Sequence, residues 1–566
     1  MNTDFDAIVV GSGMSGGWSA KELAERGLKV LVIERGQNID PSEDYADLIP
    51  PWEKPNFDQI AQDEIEAHYP IQYRGVAYAV KESNKHFWVK DSEHPYTTAP
   101  GTDYDWLRGY HLGGRSITWA RQSYRLSAMD FEANKRDGYG EDWPVRYHDI
   151  EPWYDHVEKF AGISGANEGL PQLPDGQFQP PFEMTDPEKA FKQKVEESFP
   201  GRKIINARVA HLTEPTDEQI ALGRSPCQAR NICAMGCSFK AYFSSLNATL
   251  PAARKTGNCQ IVTDEIVAEV IYDAEQGRAT GVKVIHQHSR ERKTYTAKLI
   301  FLNASAIGSA LILLNSKSTA FPDGLANTSG QVGRNLLDHV SATSAVGTLA
   351  GFENVTSFGR RPGGFYIPRY ANLTEQDRPY RRGFGYQGGS GRLHALPGRT
   401  AGIGADYKSR HKQPGPWYIS FAAFGEILPN NNNKVTLHPT ERDKWGLPLA
   451  HFECRMGENE VMMMAAARAD AIAMLQAAGC TDISVPERDL TLPGNRIHEM
   501  GTARMGRDPA TSVLNGWCQS HDVPNLFVSD GSFMASAGCQ NPSLSYMAFS
   551  ARAANHAADL LAAGKI

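Results

Sequence analysis

The chain has 566 residues and a mass of 62.3 kDa, room for several domain-sized units or for two interleaved ones. Its 41% hydrophobic, 22% charged and 10% aromatic residues exclude a disordered or fibrous protein. A net charge of −7 and a pI near 6.2 exclude general nucleic-acid binding, which needs clustered Lys and Arg.

The N-terminus, MNTDFDAIVVGSG, passes straight into a strand. It shows no basic start, apolar run or cleavage site, so no export signal is expected there. Ala7–Val10 is a short β-branched strand, Gly11–Gly16 a glycine turn, Trp18–Arg26 a helix ended by Gly27, and Lys29–Ile33 a second strand ending at Glu34. This is one βαβ unit. From 37 to 105 the periodicity fades into Pro, acids and aromatics, the texture of an excursion that covers something. A second Gly-rich turn follows at His111–Trp119, and a Pro-rich connection at 171–187. Residues 261–303 read as strands with a turn at Gln276-Gly277. The longest apolar stretch, Leu299–Leu314, is broken by Asn303, Ser305, Gly308 and Ser309 and reads as a buried strand followed by a helix, not a membrane span. Residues 340–490 carry alternating strands such as Trp417–Phe421 and an Ala/Met helix at 458–478, whose Met462–Met464 run suits core packing. A last strand at 523–529 ends in Asp530-Gly531, and a closing helix runs from about Leu544 to Leu561.

Gly11, Gly13 and Gly16 match G-x-G-x-x-G between a strand and a helix. The spacing permits a tight turn, close approach of a pyrophosphate and close helix packing, with the helix N-terminus facing the phosphates. Glu34, eighteen residues after Gly16, stands where a carboxylate accepts from adenosine ribose hydroxyls. The return of a parallel strand near the C-terminus favours FAD over NAD, whose domains usually stay contiguous.

Taken together, the turn with Glu34, His111-Leu-Gly-Gly-Arg-Ser116, Val332-Gly-Arg-Asn-Leu-Leu-Asp-His339, His498-x-x-Gly-Thr502, Ser529-Asp-Gly-Ser532 and Asn541-Pro resemble the glucose–methanol–choline (GMC) oxidoreductases over nearly the whole chain. The resemblance implies an α/β fold in which a Rossmann-like FAD domain interleaves with an antiparallel-sheet substrate domain. The FAD part is expected at 1–40, 105–160, 225–340 and 490–566, a lid at 41–104, and the substrate part at 161–224 and 341–489. It implies FAD contacts at Gly11, Gly13, Ser15, Gly16, Glu34, Gly113, Gly114, Ser116, Asp530, Gly531 and Asn541. Ile117–Ala120 has no histidine where some members tether the flavin, so FAD is expected to be non-covalent. By motif position His498 is the base in alcohol oxidation, suited by an ordinary pKa near 6.5. Asn541 stands at the second catalytic position, where it can donate to the substrate oxygen but not take its proton. His451 and His556 read as structural.

Three of the eight cysteines, Cys227, Cys233 and Cys237, crowd into one loop, and the other five are scattered, which is not a disulfide framework. The spacing suits an iron–sulfur cluster in the loop 225–240, and three ligands suit a [3Fe-4S] cluster, as in the similar loops of bacterial FAD-dependent glucose and fructose dehydrogenases. A zinc site with one added histidine and three buried thiols remain open, although no His lies between Ser225 and Ala241. Within the family the N-terminal segment and the cysteines resemble the large subunit of bacterial glucoside 3-dehydrogenases. That implies oxidation of a sugar or glycoside to a 3-keto sugar, a small partner subunit with an export signal, periplasmic location by co-export (the alternative being cytoplasmic), and a cytochrome c-type electron acceptor. Other polyol or sugar-acid dehydrogenases, an oxygen-using sugar oxidase and a non-catalytic electron relay are the rival readings. Phe365, Tyr366, Tyr370, Phe384, Tyr386, Trp417 and Tyr418 suit stacking on pyranose faces or plain core packing equally.

Overall fold

The computed structural model describes residues 3–356, 359, 362–392, 402–412 and 414–566, with backbone alone at 410 and 411. Two seven-stranded sheets organise it. In the first, Phe5–Val10 pairs in parallel with Val30–Ile33 on one side and with Arg292–Leu302 on the other. Cys259–Val262 extends the sheet beyond Val30–Ile33, also in parallel. Leu526–Val528 returns from the far end of the chain to lie parallel to Ile300–Leu302. These strands read as unbroken apolar runs because both faces are covered. The helices Met14–Glu25, Ser543–Ala562 and Tyr147–Ala161 pack together against the sheet. Glu265–Asp273, Arg278–His286 and Arg292–Leu302 continue as an antiparallel meander, turning at Gly277.

The second sheet is antiparallel, ordered Thr481–Ser484, Ser344–Leu349, Trp417–Glu426, Phe384–Arg392, Phe365–Ile367, Ile205–Asn206, with His339–Val340 paired to Trp417–Glu426. Burial alternates along Trp417–Glu426, as expected of a strand with one face on the core. The helix Glu458–Ala477 covers that face with Met463 and Met464 buried and Met462 outside. The aromatics of this sheet are core: Phe365, Tyr366, Phe384, Tyr386 and Trp417 are buried, with Phe365 packed on Phe191, Phe384 on Tyr386 and Tyr386 on Phe421. None of the seven aromatics considered for sugar stacking lines the cavity described below, which overturns that alternative. The reason is packing: Phe191 and Phe421 pack on Phe365 and Tyr386, Tyr124 stacks on Tyr366, and Tyr386 Oη donates to Ala467 O of the covering helix.

A third, small sheet joins Lys434–Arg442, Pro448–Glu453 and Thr97–Thr98. Its hairpin packs on the helix Ala306–Asn315, at the dinucleotide end of the molecule. Residues 41–104 fold as short helices with their own core of Ile39, Tyr69, Val76, Phe87 and Trp88, and Gly75, Val76 and Trp88 wall the cavity. No helix among the described residues is long and apolar enough to cross a membrane.

Candidate active site

A cavity of about 610 Å³ runs from the turn at Gly11–Ser15 to His498 and Asn541. The turn explains its own glycines. A Cβ on Gly11 would lie 2.3 Å from the Asn303 carbonyl oxygen, and one on Gly16 would lie 1.9 Å from the Gly11 carbonyl oxygen, so neither position accepts a side chain. A Cβ on Gly13 would meet nothing within 4 Å. It would project into free space at the N-terminus of Met14–Glu25, where orphan N–H groups and the helix dipole favour a phosphate. That open cradle fits a pyrophosphate.

Glu34 is held by the turn itself. Its Oε2 accepts from Ser12 N (3.1 Å) and Ser12 Oγ (2.6 Å), and its Oε1 accepts from Gly36 N (2.9 Å). Burial raises its pKa, and the carboxylate lines the cavity with further lone pairs free for a ribose. The second glycine turn is tied to the first. Gly113 N donates to Ser12 Oγ (2.9 Å), Ser116 Oγ donates to Gly113 O (2.5 Å), and Ser245 Oγ donates to Ser12 O (2.7 Å). A Cβ on Gly114 would lie 3.4 Å from Gly13 Cα, so the two turns meet backbone to backbone. Asp530 is buried, accepting from Ser309 Oγ (2.5 Å) and Ser532 N (2.9 Å), and Gly531 lets that turn close on the Glu499 carbonyl. Ser15, Ser116, Asp530 and Gly531 line the cavity. So do Arg35, Trp88, Arg108, Arg121 and Arg496, whose buried side-chain nitrogens include ones with no protein partner. An anionic, polar ligand of dinucleotide size satisfies this lining, and FAD fits it. The segment Thr118–Ala120 borders the cavity without a histidine.

The reacting end is made by four chain segments. Asn541 precedes the helix Ser543–Ala562, and its Nδ2 lies 3.3 Å from His498 Nε2. Gln387, from the second sheet, donates its Nε2 to Asn541 Oδ1 (2.5 Å), which turns the amide nitrogen toward His498. His498 Nδ1 lies 2.7 Å from His339 Nδ1, and His339 Nε2 lies 2.8 Å from the Gly538 carbonyl oxygen. Burial, the neighbouring His339 and the cations Arg496 and Arg115 hold His498 well below an ordinary histidine pKa, so it is neutral and ready to accept a proton. Ile497 has φ +66°, an outlier for a β-branched residue. The Asp338 carboxylate clamps both neighbours, accepting from Arg496 N and His498 N at 3.0 Å each. Arg115 forms a bidentate pair with Glu499 (3.0 and 2.7 Å), fixing the residue after the histidine. In the sequence Asp338, His339 and Glu499 stand out only as parts of short motifs, and Gln387 carries no signal. Their side-chain contacts span 154 to 384 positions along the chain, which no local pattern displays. His451 accepts or donates at Thr97 Oγ1 (2.8 Å) and His556 stacks on Trp517, both away from the cavity.

Cys227, Cys233 and Cys237 share a cluster with Phe239, Ala241 and Tyr242. His211 Nε2 lies 3.7 Å from Cys233 Sγ. Among the described residues no set of three or more His, Cys, Asp or Glu is arranged around one metal ion. Buried groups without partners surround the thiols: Tyr45 Oη, His211 Nδ1, Arg121 Nε and Arg224 Nη2. Arg121 also walls the cavity and donates to Cys233 O (2.9 Å), so one side chain separates the loop from the cavity.

Family models described as GMC oxidoreductase match residues 97–341 and 429–550, and an FAD binding domain model matches residues 6–46. The chain belongs to the GMC oxidoreductase family. This GMC protein is therefore an FAD-dependent oxidoreductase acting on an alcohol group. It is 28% identical to 2-methyl-1,2-propanediol dehydrogenase of Mycolicibacterium austroafricanum, over 97% of this chain and 94% of that one. It is 27% identical to the fructose dehydrogenase large subunit of Gluconobacter japonicus, over 97% of both chains. A C-glycoside 3-oxidase of Microbacterium trichothecenolyticum is 24% identical over 55% of this chain and 56% of its own. Among solved structures, pyridoxine 4-oxidase from Mesorbium loti superposes with a TM-score of 0.57 at 17% identity, covering 97% of this chain and 98% of that one, a likeness of fold.

Proposed function

We propose that the protein is a dehydrogenase that oxidises a secondary hydroxyl of a sugar or glycoside, the 3-hydroxyl, to a 3-keto product. The observation that carries this reading is the meeting of His498 Nε2 and the Asn541 amide, 3.3 Å apart, at one end of a cavity whose other end is a dinucleotide turn. The relatives named for fructose and for position 3 of C-glycosides support the substrate class.

FAD is held without a covalent tether by Gly11, Gly13, Ser15, Gly16, Glu34, Gly113, Gly114, Ser116, Asp530 and Gly531. When bound it supplies the hydride acceptor. The side chains do the rest. His498 Nε2 takes the hydroxyl proton, and the Asn541 Nδ2–H donates to the same oxygen as it becomes a carbonyl. The substrate loses a proton to His498 and a hydride to the flavin, so charge and electrons balance. The neutral His498 serves as base because its Nε2 borders the cavity with only the Asn541 amide, 3.3 Å away, against it.

Cys227, Cys233 and Cys237 would hold a [3Fe-4S] cluster, a one-electron centre that would give the two flavin electrons a single-electron exit and favour dehydrogenase over oxidase chemistry. The next carrier is a c-type cytochrome, and a small partner subunit bearing an export signal brings the enzyme to the periplasm. The surface beside the cysteine loop supports such docking. Asp47 binds Arg230 Nη2 (2.5 Å), Ser238 N (3.0 Å) and Ser238 Oγ (2.6 Å), and the chain then presents Leu48, Trp52 and Phe57, which are 64%, 74% and 75% exposed. Residues 40–66 hold nine carboxylates against one cation, the buried Lys54. An apolar, acidic face suits a carrier with a basic rim.

The test is anaerobic purification, an absorption and EPR spectrum, and a screen of sugars, glycosides and small diols with an artificial acceptor, products being identified by NMR. A 3-keto product is expected. Bleaching of the flavin by small diols alone would refute the sugar reading.

A further inference from the structure

We propose that the adjacent residues Asp338 and His339 form the positioning element of the base, Asp338 fixing the backbone of His498 and His339 fixing which of its ring nitrogens carries the proton. The proposal rests on the reading of His498 as the base.

The argument is one of hydrogen-bond supply. The Gly538 carbonyl can only accept, so His339 Nε2, 2.8 Å away, carries a proton. A neutral imidazole has one N–H, so His339 Nδ1 is a bare acceptor. His498 Nδ1, 2.7 Å away, must then be the donor of that bond. This leaves His498 Nε2 bare, the nitrogen that faces Asn541 Nδ2 at 3.3 Å and borders the cavity. Reversing the tautomer would place two bare nitrogens against each other at Nδ1 and a proton on the nitrogen that must accept one. The chain Gly538 C=O, His339, His498 therefore commits the base to its working form before any substrate arrives. His339 is buried on the strand His339–Val340, and both of its ring nitrogens are bonded, so a flip of the ring would forfeit both bonds.

Asp338 supplies the other constraint. Its two carboxylate oxygens accept the backbone N–H groups on either side of Ile497. The left-handed Ile497, an unfavourable conformation for a β-branched residue, is thereby held in place. The groups facing this pair are Glu499, Arg115, Arg496 and Tyr104. Neither Asp338 nor His339 lines the cavity, so both act through His498.

The test compares His339→Leu with His339→Asn, whose Oδ1 can occupy the acceptor position. Flavin reduction by substrate is followed by stopped flow, with FAD content and substrate Kd measured alongside. In the Leu variant the His498 Nδ1–H loses its acceptor, and the competing tautomer gains by the cost of an unpaired buried donor. The reduction rate should fall roughly ten- to hundredfold with Kd and FAD content unchanged. The Asn variant should stay within a few-fold of wild type. Equal losses in both, or a wild-type rate in the Leu variant, would overturn the proposal. A second measurement needs no variant to fold. Magic-angle-spinning NMR of wild-type holoenzyme labelled with ¹⁵N-histidine should show an Nδ1-protonated imidazole hydrogen-bonded to a second imidazole. A His498 signal in the Nε2-protonated form would overturn it as well. Full flavin reduction in His498→Ala would instead sink the base reading, while leaving the tautomer result to stand alone.

Discussion

At the scale of single residues, the three glycines of the first turn separate folding from binding. Gly11 and Gly16 face backbone oxygens at 2.3 and 1.9 Å, so an added methyl at either must displace the chain. Gly13 faces open space. The expected outcome is that Gly13→Val yields folded, colourless protein with near-normal melting, whereas Gly16→Ala yields little soluble protein. Far-UV circular dichroism and flavin absorbance check this, and a fully yellow Gly13→Val protein would contradict the placement of the phosphates. His498→Ala should slow flavin reduction by ~10²–10⁴, the usual worth of a positioned base, with FAD still bound. Asn541 depends on Gln387 in the same way that a cap depends on its partner. In Gln387→Leu the amide is free to turn, and the expected result is a lower reduction rate with unchanged flavin content.

At the scale of elements, two buried histidines tie stability to pH. His111, in the second glycine turn, and His339, on its short strand, are each pushed by burial down to about 4. Both are neutral in the folded and unfolded chain above pH 6.5. Below it the unfolded chain takes up protons that the folded one refuses until about pH 4, so stability falls as pH drops through that window. Each histidine accounts for ~3 kcal/mol by the acid end of the range. Thermal melts between pH 7.5 and 4.5 should show this loss, and His111→Gln should make it smaller without removing it; an unchanged slope in that variant would remove His111 from the account. The cysteine loop is the second element with a direct test. Cys233→Ser should leave flavin reduction by sugar intact while abolishing the [3Fe-4S] EPR signal and transfer to a cytochrome. Iron analysis of anaerobically prepared wild-type protein checks the premise.

At the scale of the whole molecule, the question is where electrons leave. The apolar face at 48–57, within the acid-rich stretch 40–66, adjoins the cysteine loop through Asp47, and Arg121 joins that loop to the cavity wall. Trp52→Ser with Phe57→Ser should lower the reduction of a basic c-type cytochrome by about tenfold, an effect of ~1.4 kcal/mol at such a face. Reduction of a small dye should be spared. Raising salt from low to moderate ionic strength should slow the cytochrome reaction and not the dye reaction, because steering between opposite charges is screened. Parallel losses with both acceptors would place the exit elsewhere.

What the sequence by itself determined was local and chemical. The βαβ unit with Glu34, the strand and helix across 292–315, the hairpin at Gln276-Gly277 and the closing helix follow from periodicity and turn residues, which act over a few positions. The motif residues of the cavity were legible because each of them sits in a short turn whose spacing is its signature. The tertiary structure decided what depends on distance through space. It sent the aromatics of 365–418 to the core and away from the cavity, since the face of a strand is chosen by its neighbours in the sheet. It moved the hairpin 434–453 against the helix Ala306–Asn315. It also set His339 against His498, with 159 positions between them, and aimed Gln387 at Asn541 across 154. A hydrogen bond between two neutral rings has no trace in either local sequence, because its strength lies in an orientation that only the packed sheets impose.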